Sequence, residues 1–149
     1  MENQEIVFIE VPVNNKTKFV CDIVDKFYSA EKTVQIFVRN RQDAARLDEQ
    51  LWAFKQDSFI PHTSIEAADA DLDDPVLIVN KLNPDFKSDV LIQYDPVGPE
   101  AFTGYGEIID FAELFDPNRL SESRKRYKLI RDSKADQLKF MKLGEFLSH

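Results

Sequence analysis

The apolar positions fall into short continuous runs that alternate with longer, periodic ones. Ile6 to Val11 (IVFIEV) is short, β-branched and closed by Pro12, the pattern of a strand covered on both faces. From Thr17 to Ala30, residues Phe19, Val20, Ile23, Val24 and Phe27 recur at three- and four-residue spacing, which predicts an amphipathic helix. Val34 to Val38 (VQIFV) predicts a second strand. Arg41 to Phe54 predicts a second helix with Ala44, Leu47, Leu51 and Phe54 on its inner face. Phe59 and Ile60, before Pro61, form a short extended piece. Val76 to Val79, Val90 to Tyr94 and Glu107 to Phe111 predict three further strands. The link NKLNPDFKSD and the Gly/Pro-rich stretch Pro96 to Gly106 carry turn residues, the latter with room for one helical turn. Asn118 to Ser133 is the last strong helix, and Ala135 to Leu147 is expected to continue as a weaker one.

Strands and helices in this order and at this spacing predict a three-layer α/β/α single domain, residues 1–149, with a mostly parallel sheet. Right-handed crossovers place helices on both of its faces. A length of 149 residues supports a core able to stand alone, and 43% hydrophobic with 31% charged residues is a globular composition. The single cysteine excludes a disulfide scaffold and any cysteine-cluster zinc site. No apolar run approaches the roughly 20 residues that span a bilayer. The N-terminus lacks the positive region of a signal peptide, so a soluble cytoplasmic protein is expected, away from membranes.

Charge changes this picture locally. The net charge is -8, yet residues 117–149 hold nine Lys and Arg against four Asp and Glu. Phosphate repels the acidic remainder, so direct nucleic-acid binding is not expected. The basic C-terminal segment points instead to one local anionic partner.

Most catalytic and cofactor chemistry has no footing. No Walker-type phosphate loop is present. Gly104-Tyr105-Gly106 precedes a strand where a dinucleotide loop would follow one, and reads as a turn. Asp69, Asp71 and Asp73 begin a calcium-loop spacing, but Asp74 and Asn80 stand where the glycine and the closing glutamate belong. The stretch Glu66 to Asp74 reads as a solvated acidic loop. Cys21 sits in the apolar stripe of the first helix and reads as a buried structural thiol. His62 and His149 have no spaced ligand partner, and His62 reads as a hydrogen-bonded loop residue. No cofactor, metal or catalytic residue is expected.

Two features stand out. Trp52 is one position past the inner-face Leu51, hence about 100° around the helix from it. It reads either as a core aromatic or as a protein-contact anchor at the edge of the stripe, and Phe59 is near enough to widen the same patch. The second feature is Arg124-Lys125-Arg126-Tyr127-Lys128-Leu129-Ile130-Arg131. Arg124, Lys128 and Arg131 fall on one helix face with Tyr127 between them. This is either a solvated basic face or a receptor for a short acidic peptide that also carries a hydrophobic end.

R-L-D-E-x-L-W at 46–52, S-F-x-P-H at 58–62 and R-Y-K at 126–128 resemble the chi subunit family of bacterial DNA polymerase III. The resemblance covers nearly the whole chain, with departures at Glu66 to Asp74, around Pro96 to Gly106 and after Arg131. It implies a non-catalytic α/β adaptor of the clamp-loader accessory pair, bound to the psi subunit and to the acidic, Phe-ended C-terminal tail of single-stranded DNA-binding protein. It further implies that Trp52 and Phe59 belong to the psi surface, which a helicase uses in some relatives. Arg124, Tyr127, Lys128 and Arg131 match the basic helix that receives the tail. The competing reading is a small α/β enzyme acting on an acidic metabolite through the same basic helix.

Overall fold

The computed structural model describes residues 4–54, 60–64, 73–86, 88–133 and 137–148. In chain order the elements are β1 (Glu5–Val11), α1 (Lys16–Ser29), β2 (Val34–Phe37), α2 (Arg41–Ala53), β3 (His62–Ser64), β4 (Val76–Val79) and β5 (Val90–Gln93). A short 3-10 turn (Pro99–Phe102) follows, then β6 (Glu107–Glu113), α3 (Pro117–Asp132), β7 (Gln137–Lys142) and α4 (Leu143–Leu147). The strands form one seven-stranded sheet in the order β3-β4-β2-β5-β6-β1-β7, with every pairing parallel.

Strand alternation divides the core between the two faces. On one face Val7, Ile9 and Val11 of β1 join Ile36, Ile78, Ile92 and Ile109 beneath α1, α2 and α4. The stripe Val20, Ile23, Val24 and Phe27 of α1 is completely or almost completely buried there, as its spacing requires. On the other face Ile6, Phe8, Leu91 and Ile108 pack against Phe102 and against Ile130 of α3. Because parallel strands need a crossover of a dozen residues or more, helices cover both sides and β1, β4 and β5 carry almost no exposed surface.

The helix starts follow local chemistry. The Asn40 side chain accepts hydrogen bonds from the N–H groups of Gln42 and Asp43 and so caps α2. Asp116 does the same for Asn118 and Arg119 at the start of α3, where Pro117 occupies the first turn. Gly104 has φ +96°, a conformation that L side chains rarely adopt, and the Gly104–Gly106 segment is the turn its sequence implies.

Two expectations are corrected. The weak helix expected over 135–147 is instead β7 followed by the single short α4. Residues 137–140 (QLKF) alternate polar and apolar, and the open edge of β1 supplies hydrogen-bond partners that a helix would leave unmatched. Of the extended piece expected at Phe59 and Ile60, Phe59 lies outside the described residues, and Ile60 is buried just before the strand that begins at His62. His62 is therefore a buried strand residue, not a loop residue. Among the described residues no helix is long and apolar enough to cross a membrane.

Candidate functional site

The strand order explains why the basic helix acquires a site. β6 and β7 flank β1, so α3, which connects them, crosses over β1. That crossing lays Tyr127 edge-on against Phe8 of β1, with ring centroids 5.2 Å apart. The same ring meets Phe140 of β7 at 6.3 Å, also edge-on. Such aromatic pairs contribute about 0.5–1.5 kcal/mol beyond the area they bury.

Ile130 and Ser123 are the α3 positions that turn fully inward. The face bearing Leu120, Arg124, Tyr127, Lys128 and Arg131 is left over the outer part of β1 and β7. A groove of about 400 Å³ runs there, with Phe8, Ala112, Leu114 and Phe140 as its remaining lining. Leu114 is 38% exposed and Phe140 48% exposed, so the two give the groove contiguous apolar surface open to solvent. The groove thus has an apolar floor and wall with a basic rim.

The four tail-binding residues expected from the sequence, Arg124, Tyr127, Lys128 and Arg131, all line this groove. Among the described residues Arg124 and Lys128 make no ion pair, whereas Arg131 Nε lies 3.4 Å from Oδ1 of the exposed neighbour Asp132. Two cations of the rim are therefore unneutralised. The apolar half of the groove is what sequence reading missed. Leu114 follows β6, and Phe140 fell inside a segment read as helix; only the crossover brings them to Tyr127.

Arg126 lies in the same basic run and does something else. Its Nε and one terminal nitrogen donate to Oδ2 and Oδ1 of Asp110 at 2.8 and 2.9 Å. Asp110 is 2% exposed and also accepts from the Phe111 N–H at 2.6 Å. Burial pushes the Asp110 carboxyl upward, while the Arg126 fork pulls it back. Arg126 thus ties α3 to β6.

The Trp52 surface is separate. Leu51 is 2% exposed and Trp52 is 51% exposed, so the rotation expected from the helix places Trp52 at the rim of the buried stripe. Its ring sits 4.2 Å from that of His62, tilted by 42°. His62 Nε2 lies 3.1 Å from Oδ1 of Asp48 one turn earlier on α2, and Nδ1 lies 2.8 Å from the Ile60 carbonyl oxygen. The motif pairs R-L-D-E-x-L-W with P-H because His62 joins β3 to α2 under the indole. The structure does not bring Trp52 and the α3 groove together: α2 lies on the opposite face of the sheet from α3.

A smaller cavity, about 240 Å³, lies beyond the carboxyl ends of β1, β5 and β6, where ligands of open α/β sheets commonly bind. Three of its cations are paired with its own carboxylates. Lys16 Nζ is 3.2 Å and Arg119 2.9 Å from the same Glu113 oxygen, and Arg126 is held by Asp110. Burial pushes the Cys21 thiol up to about 12, so it is inert in the native fold. Among the described residues no group of three or more His, Cys, Asp and Glu is placed to hold a metal ion.

Comparison with known proteins identifies the fold and the family. In structure the chain resembles the C-terminal domain of Saccharomyces cerevisiae Dbp5 solved bound to Gle1 and IP6, with TM-score 0.67, 13% identity and 99% of this chain matched to 96% of that one. A second structure of the C-terminal domain of the DEAD-box protein Dbp5 gives TM-score 0.56 at 17% identity, over 95% of this chain and 90% of that one. These likenesses concern the α/β fold. In sequence the chain is 30% identical over 115 residues to DNA polymerase III subunit chi of Escherichia coli, covering 76% of this chain and 77% of that protein. It is 27% identical over 115 residues to the Haemophilus influenzae subunit of the same name, covering 76% and 78%. The family model for the DNA polymerase III chi subunit, HolC, matches residues 3–137, a span that takes in Trp52, the P-H strand and the whole of α3. With that span matched, the chain belongs to the DNA polymerase III chi subunit family.

Proposed function

We propose that this chi-family protein is a non-catalytic adaptor of the replicative DNA polymerase III holoenzyme. One face, around Trp52 and Phe59, holds a psi-type subunit and through it the clamp loader. The opposite face, the α3 groove, grips the acidic C-terminal tail of single-stranded DNA-binding protein. The observation that carries this reading is the convergence of two unneutralised cations, Arg124 and Lys128, on an apolar groove walled by Tyr127 and Phe140. A peptide with several aspartates and a terminal phenylalanine matches both halves. Arg124 presents a planar fork suited to the terminal carboxylate, Lys128 and Arg131 attract the remaining acids, and the phenyl ring enters beside Tyr127.

Placing the two surfaces on opposite sides of the sheet lets both partners bind at once, which bridging requires. Interfaces this small give micromolar affinity, about -8 kcal/mol. Many tails along a coated strand raise the effective grip by avidity.

The test is calorimetry of the full chain with a synthetic acidic peptide ending in a free phenylalanine carboxylate, with a psi-type subunit added before or after. Micromolar peptide binding, unchanged by the second partner, is the expected result. No binding to the wild-type chain refutes the tail assignment.

A further inference from the structure

We propose that the outer edge of β7 is a strand-addition site at which the acidic peptide pairs its backbone while its apolar end occupies the α3 groove. The proposal rests on the tail-receptor reading above and goes beyond it by assigning main-chain recognition to an element no basic residue of α3 belongs to.

Among the described residues β7 is the last strand of the sheet, hydrogen-bonded to a strand on one side only. Which of its backbone groups face outward follows from the pairing. The Glu5 N–H donates to Gly106 O, and the Leu114 N–H donates to Val11 O. The odd-numbered residues of β1 therefore turn their backbone groups toward β6, and the even-numbered ones toward β7. The parallel register, with Ile6 beside Leu138 and Phe8 beside Phe140, then makes Gln137, Lys139 and Met141 the residues bonded to β1. Leu138, Phe140 and Lys142 are left with N–H and C=O groups directed away from the sheet. The Lys142 N–H confirms this direction, since it donates outward to Oε1 of Glu145 at 3.2 Å. Among the described residues the backbone groups of Leu138 and Phe140 have no partner on that side.

An unpaired edge is usually protected against association. Here Lys139 Nζ lies 3.6 Å from Oε2 of Glu5, and Lys142, on the α3 side, is the strand cation that repels a second basic edge and favours a strand that carries carboxylates. The edge is continuous with the groove, because Phe140 belongs to both. A strand added about 4.8 Å from β7 would project alternate side chains toward Phe140 and Lys142 on the α3 side. Those are an apolar wall and a cation, the two features a short acidic peptide with a hydrophobic end requires. Main-chain bonds would supply affinity and the groove selectivity.

The experiment uses the full chain and a synthetic peptide of eight residues, rich in aspartate and ending in phenylalanine. Amide hydrogen exchange is read by NMR, and affinity is measured for peptides N-methylated at one backbone position at a time. Strand addition slows exchange of the Leu138 and Phe140 amides at least tenfold at saturation. It also makes every second N-methylation cost more than tenfold in affinity, the intervening ones less than twofold. If the peptide binds and depends on Arg124, yet neither amide is protected and no alternation appears, strand addition is overturned and the groove reading stands. If the peptide does not bind at all, both fail. Protection of both amides before any peptide is added, with a dimer seen by sedimentation, would assign the edge to a second copy of the chain and overturn the proposal.

Discussion

Arg124 and Arg126 lie two positions apart in one basic run, and their replacement by alanine should have opposite consequences. Arg126 is 24% exposed at its side chain and clamps a carboxylate that is 3% exposed. Removing it leaves Asp110 buried with the Phe111 N–H as its remaining hydrogen bond. Breaking a buried pair by deleting one partner costs about 3–5 kcal/mol. At about 3 °C per kcal/mol for a chain of this size, the melting temperature should fall by about 9–15 °C. Arg124 has no partner among the described residues, so Arg124→Ala should leave the melting temperature within about 2 °C, as for most surface substitutions. Its loss should appear in binding instead. A charge-assisted hydrogen bond contributes about 1.5–3 kcal/mol, so affinity for the acidic peptide should drop at least tenfold. Thermal denaturation by circular dichroism and peptide calorimetry on the same two variants decide the matter. Unchanged peptide affinity in Arg124→Ala would make the rim a solvated face. An unchanged melting temperature in Arg126→Ala would show that the fork to Asp110 does not hold α3 in place.

Trp52 is the only tryptophan and is half exposed, so its emission should shift to the blue when a psi-type partner docks and stay unchanged with the acidic peptide. The variant Trp52→Ala should weaken that partner at least tenfold without unfolding the chain; an unfolded variant would make the ring structural. With its thiol held near 12, Cys21 should react with a thiol reagent at pH 8 about a thousandfold more slowly than the unfolded chain, whose thiol ionises near 9. Because the folded value is raised, the contribution of Cys21 to stability is complete below pH 9 and is lost as pH rises toward 12; equal labelling of native and unfolded protein at pH 8 would contradict its burial. The net charge of -8 should prevent appreciable binding of naked single-stranded DNA at physiological salt, and a gel shift at low-micromolar protein would refute this.

Much of the architecture was legible from local pattern, because the relevant forces act within a few residues. The buried runs of β1, β4 and β5 are apolar on both faces, and that alone implies a sheet covered on both sides. The stripe of α1 is equally local. Helical spacing also sufficed to put Arg124, Tyr127, Lys128 and Arg131 on one face and Trp52 at the rim of another. The C-terminal strand was not legible. A segment read as a weak helix becomes β7 because β1 presents an unpaired edge about 130 residues earlier in the chain. The division of labour among the arginines was not legible either: Arg126 differs from Arg124 only by facing a carboxylate buried 16 residues upstream. The apolar half of the groove has the same origin. Phe8, Leu114 and Phe140 lie on or beside three different strands, and they become one wall when the crossover of α3 carries Tyr127 across β1. Periodicity records which face of an element is apolar; only long-range pairing decides what that face meets.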